Sequence, residues 1–170
     1  EFVDKYLPRV LKVKRLQCKE LVKTSETSCV INLCKLFDAL SRNVRKNDDD
    51  EPEAFKIYVE KWFVFCLIWS VGATVDEASR KSIDYVLRDI ESMFPHSNTV
   101  YEHYLNTDKK EWASWEDKLT NYKPVDKEFH QINVPTVDTH RNRFIIGSLM
   151  DHGSQVLLVG HSGVGKTVLV

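Results

Sequence analysis

The sequence predicts a mainly α-helical subdomain followed by the truncated start of an α/β core. Three observations carry that reading. Apolar residues recur at helical spacing through most of the first 95 positions. Residues 62–71 (WFVFCLIWSV) are apolar almost without interruption, as a helix buried on every face requires. Residues 128–170 change character and run helix, short apolar segment, glycine-rich turn, the order found where a buried parallel strand feeds a helix.

Taken in order, Tyr6, Val10, Leu11 and Leu16 mark an opening helix, with Pro8 required in its first turn. Residues 24–28 (TSETS) offer capping hydroxyls, and Val30, Leu33, Cys34, Phe37, Leu40 and Val44 then define one helical face. A polar loop over 45–51 ends at Pro52, which opens a helix reaching about Ser70 and stopped by Gly72. Thr74 and Glu77 fit a capping box for a helix carrying Ile83, Val86, Leu87 and Ile90, which Pro95 ends. Residues 96–127 read as a connector with aromatic anchors at Tyr101, Tyr104, Trp112, Trp115 and Tyr122. Residues 129–134 are strand-like and broken by Pro135. Asp138 caps a short helix through Met150, with Gly153 just past its end. Residues 156–159 (VLLV) are expected as a fully buried parallel strand. The expected organisation is therefore a helical subdomain over 1–95, a connector over 96–127, and the start of an α/β core over 128–170.

Composition narrows the function classes. The 170 residues hold 24 Lys plus Arg against 25 Asp plus Glu, a net charge of -1, which gives no electrostatic footprint for nucleic acid or an anionic membrane. The longest apolar run is far short of the roughly 20 residues that cross a bilayer, and no signal-peptide pattern opens the chain. With Glu1 first and Val170 inside an expected helix, the sequence reads as a piece of something longer. Cys18, Cys29, Cys34 and Cys66 form no C-x-x-C pair, and the six histidines suggest no metal cluster. Cys34 and Cys66 fall in apolar stripes, where a reduced thiol serves as a small hydrophobe.

Chemistry enters at Gly160-His161-Ser162-Gly163-Val164-Gly165-Lys166-Thr167, which satisfies G-x-x-x-x-G-K-[ST]. Glycines let successive backbone N–H groups turn inward as a nest for phosphate oxygens. Lys166 supplies a point charge for the β- and γ-phosphates, and the Thr167 hydroxyl can ligate Mg²⁺. The helix beginning near Lys166, with Val168 in its first turn, points its positive end the same way. The expected ligand is ATP or ADP with Mg²⁺. Hydrolysis needs in addition a strand ending in an acidic pair. The nearest candidate, residues 73–77 (ATVDE), opens a strongly periodic helix and reads as its cap.

Four segments together resemble the dynein heavy chain, in the stretch joining the second AAA+ module of its motor ring to the third. Residues 62–76 (WFVFCLIWSVGATVD) look like a helix and turn of the second module's lid. Residues 132–139 (INVPTVDT), followed by Arg141, look like the lead-in to the third module. Residues 156–167 look like that module's phosphate loop, and the connector over 101–119 fits as well. His161 stands where the family usually has Pro, a variable position that leaves the backbone nest intact. The connector is closer to axonemal than to cytoplasmic dyneins, nearest the inner-arm type.

The resemblance implies a helical lid followed by the start of an α/β P-loop (AAA+) core. It also implies a parent that moves along microtubules at the cost of ATP, in the cytoskeleton of a cilium or flagellum. Its implied partners are the neighbouring AAA+ modules, microtubules and other dynein subunits, with no nucleic acid and no membrane. This segment would supply the P-loop of a regulatory nucleotide site, with Val134, Pro135 and Thr136 approaching the base. Two rivals are a different P-loop NTPase with a helical amino-terminal domain, and a helical packing module whose phosphate loop is inert.

Overall fold

The computed structural model describes residues 1–42, 44, 51–119, 128, 132 and 134–169. All but the last residue of the polar loop expected over 45–51, all but two residues of the strand expected over 129–134, and Tyr122 lie outside them. The chain forms two compact units, Glu1–Ala113 and Ser114–Val170.

The first unit is built from α1 (Phe2–Gln17), α2 (Glu26–Ser41), α3 (Pro52–Ser70) and α4 (Glu77–Ile90), closed by a small hairpin of β1 (His103–Asn106) and β2 (Glu111–Ser114). α3 is the central element. α1, α2 and β1 pack on it, and α1 also packs on α4. Its second half is buried on all sides, from Trp62 through Ile68, as the uninterrupted apolar run demands. Buried Ser70 donates its hydroxyl to the Cys66 carbonyl at 2.6 Å, which satisfies that hydroxyl within the helix. Trp62 stands edge-on to Phe65 (5.7 Å) and to Tyr58 (6.4 Å).

The loops at one end of the helices are stitched together. The Leu21 amide donates to the Thr74 carbonyl (3.0 Å) and the Asp76 amide to the Lys19 carbonyl (2.9 Å), making an antiparallel bridge between Glu20 and Val75. Beneath it Lys14, only 3% exposed, donates to Thr24 Oγ1 at 2.9 Å and pairs with Glu20 at 3.1 Å. Glu20 also accepts the Thr24 amide at 2.8 Å, so the buried charge is paired and hydrogen-bonded.

Four sequence expectations are corrected here. Pro8 lies in the interior of α1 and not in its first turn, because the helix starts at Phe2. The cap of α4 is Asp76, whose carboxylate accepts the Ser79 amide at 2.9 Å. Thr74 instead closes a short 3-10 turn over Gly72–Thr74, donating to the Val71 carbonyl at 2.7 Å. In α2 the buried stripe is Cys29, Leu33, Leu36 and Leu40, which leaves Cys34 exposed. Cys29, not Cys34, is the core thiol of that helix, and Cys66 is buried as expected. The connector region contains the β1–β2 hairpin, which the aromatic spacing did not indicate.

The second unit contains a 3-10 turn (Trp115–Lys118), α5 (Val137–Asp151) and a short α6 (Lys166–Leu169). Trp115 is buried and its ring lies 5.7 Å from that of Phe144 on α5. α5 ends as expected: Gly153 takes φ +83°, a left-handed conformation that favours glycine, and its amide donates to the Met150 carbonyl at 2.8 Å.

Candidate functional site: the phosphate loop

Residues 154–161 lead from the end of α5 into the loop without regular secondary structure. The buried strand expected over 156–159 is not formed. The segment has no ladder partner among the described residues, and Leu157 and Val159 are 85% and 83% exposed. A parallel-type strand acquires its burial from neighbouring strands and covering helices, and among the described residues no strand pairs with it.

The loop itself has the shape its glycines permit. Gly163 and Gly165 sit at φ +82° and +81°, where a side chain would be strained. Gly160 has a different reason to be glycine: a Cβ there would meet Val164 Cγ2 at 3.0 Å. Lys166, the first residue of α6, folds its side chain back across the loop. Its ammonium donates to the Gly160 carbonyl at 2.9 Å and the His161 carbonyl at 2.6 Å. One lysine therefore joins the two ends of the loop and holds its charge over the turn. Residues 160–165 and Thr167 are exposed and Lys166 is half-buried.

Of the residues expected near the base, Val134 is exposed and Thr136, not Asp138 as expected, is the N-cap of α5, accepting the Thr139 amide at 3.2 Å. Two residues on, Asp138 pairs with Arg141, whose side chain is buried. The lead-in motif thus has a structural use in starting α5. The side chain of Val168 lies outside the described residues. Among the described residues no group of three His, Cys, Asp or Glu could hold a metal ion, and no helix is long and apolar enough to cross a membrane.

Left-handed glycines and one ammonium held over an exposed turn fit a polyphosphate, and Thr167 follows Lys166 directly in the chain. A compact helical unit followed in the chain by such a loop has the features of the P-loop class with a helical lid. Comparison with known proteins makes this more specific. The family model described as the dynein heavy chain AAA lid domain matches residues 1–117, and the one described as the P-loop containing dynein motor region matches residues 121–170. The chain belongs to the dynein heavy chain motor family. It is 39% identical to the dynein-1-beta heavy chain of the flagellar inner arm I1 complex of Chlamydomonas reinhardtii, over 100% of this chain and 4% of that protein. It is 42% identical to dynein axonemal heavy chain 2 of Mus musculus, over 96% of this chain and 4% of that protein. With a ciliary dynein beta chain of Heliocidaris crassispina the identity is 32% over 98% of this chain and 4% of that protein. The chain thus spans about 4% of the length of these relatives.

Proposed function

We propose that this chain is part of the ATP-binding ring of an axonemal dynein heavy chain, a motor that moves along microtubules in a cilium or flagellum. Its first unit serves as the lid of one AAA+ module, and its second begins the next module with that module's phosphate loop. The observation that carries the reading is the glycine loop closed by Lys166, following a unit matched by the dynein lid family. The inner-arm and axonemal names of the relatives support the placement in an axoneme.

The amides of 160–168 would hold the phosphates of ATP or ADP. Lys166 would exchange its loop carbonyls for β- and γ-phosphate oxygens, and Thr167 would ligate Mg²⁺. Val134, Pro135 and Thr136 would line the base. The bound nucleotide supplies the phosphoryl group and its charge, while these residues bind and orient it. We further assign the site a regulatory role, the principal hydrolytic site lying elsewhere in the ring. Its partners would be the adjacent AAA+ modules, and through the parent chain, microtubules and other dynein subunits.

The test is Lys166→Ala in the parent heavy chain. The expected result is loss of one nucleotide site per chain, with microtubule-stimulated ATPase slowed but not abolished. Unchanged nucleotide stoichiometry would show an inert loop. Complete loss of turnover would show a principal site and overturn the regulatory assignment.

A further inference from the structure

The segment leaving α4 is fastened back onto that helix by two charged side chains. Arg88 donates to the Pro95 carbonyl and to the Asn98 carbonyl, each at 2.7 Å, and its Nε reaches Asp84 at 3.1 Å. Its guanidinium also lies 5.8 Å from the centre of the Phe94 ring. The same Asp84 oxygen accepts the Val100 amide at 2.7 Å. At the far end stands His103, the first residue of β1 and only 3% exposed, with Nδ1 3.0 Å from the Thr99 carbonyl oxygen. Residues 94–103 therefore depend on one arginine, one aspartate and one buried imidazole.

We propose that this clasp is an acid-sensitive latch, in which a proton on His103 loosens residues 94–103 from α4 while the helical core stays folded. Nδ1 faces a carbonyl and so carries a hydrogen in the neutral ring, which leaves Nε2 as the atom that takes the extra proton. That proton would place an imidazolium inside the fold, on the same clasp as the Arg88 guanidinium. Around the ring, α4 contributes Arg88 and Asp84, and the preceding turn contributes Glu102. α3, which packs on β1, carries Lys61, whose ammonium is held at 3.0 Å by the Lys110 carbonyl. β2 carries Glu111, which is exposed.

Burial holds the His103 imidazole below its ordinary value of 6.5, and Arg88 adds to this against the opposing pull of the Thr99 carbonyl, Glu102 and Asp84. The folded state thus binds fewer protons than the unfolded chain. The stability tied to neutral His103 is fully present above the ordinary histidine value. It is lost progressively as pH falls from there through the lowered folded value. The device concerns the segment that joins α4 to the hairpin, and it does not depend on nucleotide.

Hydrogen exchange on the 170-residue chain, read by mass spectrometry and corrected for intrinsic rates, tests it. Between about pH 7.5 and pH 5.5, protection over 94–103 should fall by about threefold or more while α3 stays the more protected element throughout. His103→Gln, which keeps a neutral donor and takes no proton, should flatten that response. An equal loss in the variant, protection over α3 that drops to that of 94–103, or no loss in the wild type overturns the proposal. Should the variant not fold, an NMR titration of the wild-type imidazole decides: titration below the ordinary histidine value supports the latch, and titration at or above it sinks it.

Discussion

Tyr101 fills the space over the α-carbon of Gly72. Its hydroxyl donates to the Gly72 carbonyl at 2.9 Å, and a Cβ added to Gly72 would fall 2.8 Å from that same oxygen. Two residues 29 apart thereby fix the turn after α3 against the start of the hairpin. Gly72 is glycine for room and not for backbone angle, since it has no left-handed φ. The Arg80 guanidinium lies over the phenol ring at 5.0 Å, and Trp69 meets it edge-on at 5.8 Å.

Tyr101→Phe should cost about 1–2 kcal/mol, because it leaves the Gly72 carbonyl without its buried donor. Gly72→Ala should cost about 1–3 kcal/mol through overpacking. The double variant should cost less than the sum, since removing the hydroxyl makes room for the methyl. Urea midpoints at constant slope measure all three. Strict additivity would mean that the two groups do not share this space.

Trp62 is the largest side chain sealed inside the first unit, at 1% exposure. Replacing it by Ala should cost about 3–5 kcal/mol, the usual toll of emptying a large aromatic site. Chemical denaturation of the 170-residue chain reads this directly. A loss below 1 kcal/mol would mean that the α3 core relaxes around the void.

Glu20 gives the first unit an acid limit. The Thr24 amide it accepts, and then its contacts with Lys14 and the Thr24 hydroxyl, hold its carboxyl below the ordinary glutamate value of 4.5. The folded state therefore binds fewer protons than the unfolded chain. Stability from this group is full above about pH 4.5 and falls as pH drops through the lowered folded value. Glu20→Gln should lower stability at neutral pH and shrink the difference from wild type as pH falls below 4. Parallel pH profiles for the two proteins would show that the Lys14–Glu20 pair carries no such term.

How far the sequence disclosed this structure depends on how local each signal was. α3 was readable end to end because its signal is composition, Pro52 at its start and an unbroken apolar run behind it. The cap of α4 was misplaced by two residues because Thr74 and Asp76 both suit a cap. The bridge to Lys19 and Leu21 reserves Thr74 for the turn. α2 kept its helical spacing but not its buried face: which stripe turns inward is decided by α3. The hairpin was hidden because its strands are four residues each and its turn has no glycine. Asn106 closes that turn instead, accepting the Asp108 amide at 2.9 Å, and Lys110 takes φ +55°. At the phosphate loop the motif announced the left-handed glycines and Lys166. It could not announce the state of the strand before them, which depends on partners outside the motif.

That strand sets the last expectation. A phosphate nest holds its amides convergent only if the segment entering it and the helix leaving it are both fixed. Here the entering segment has Leu157 and Val159 in solvent and no ladder partner among the described residues. The leaving helix is four residues long, far below the roughly 12–15 at which an isolated helix becomes marginally stable. The loop's remaining internal tie is the Lys166 ammonium on the Gly160 and His161 carbonyls, and a triphosphate must compete with it for that charge. The 170-residue chain by itself should therefore bind ATP weakly or not at all and show no ATPase activity. A longer piece of the parent that supplies neighbouring strands should bind, and lose binding on Lys166→Ala. Titration of both proteins with a fluorescent ATP analogue, with and without Mg²⁺, checks this. Micromolar, Mg²⁺-dependent and Lys166-dependent binding by the 170-residue chain would show that the loop holds its shape without a sheet around it.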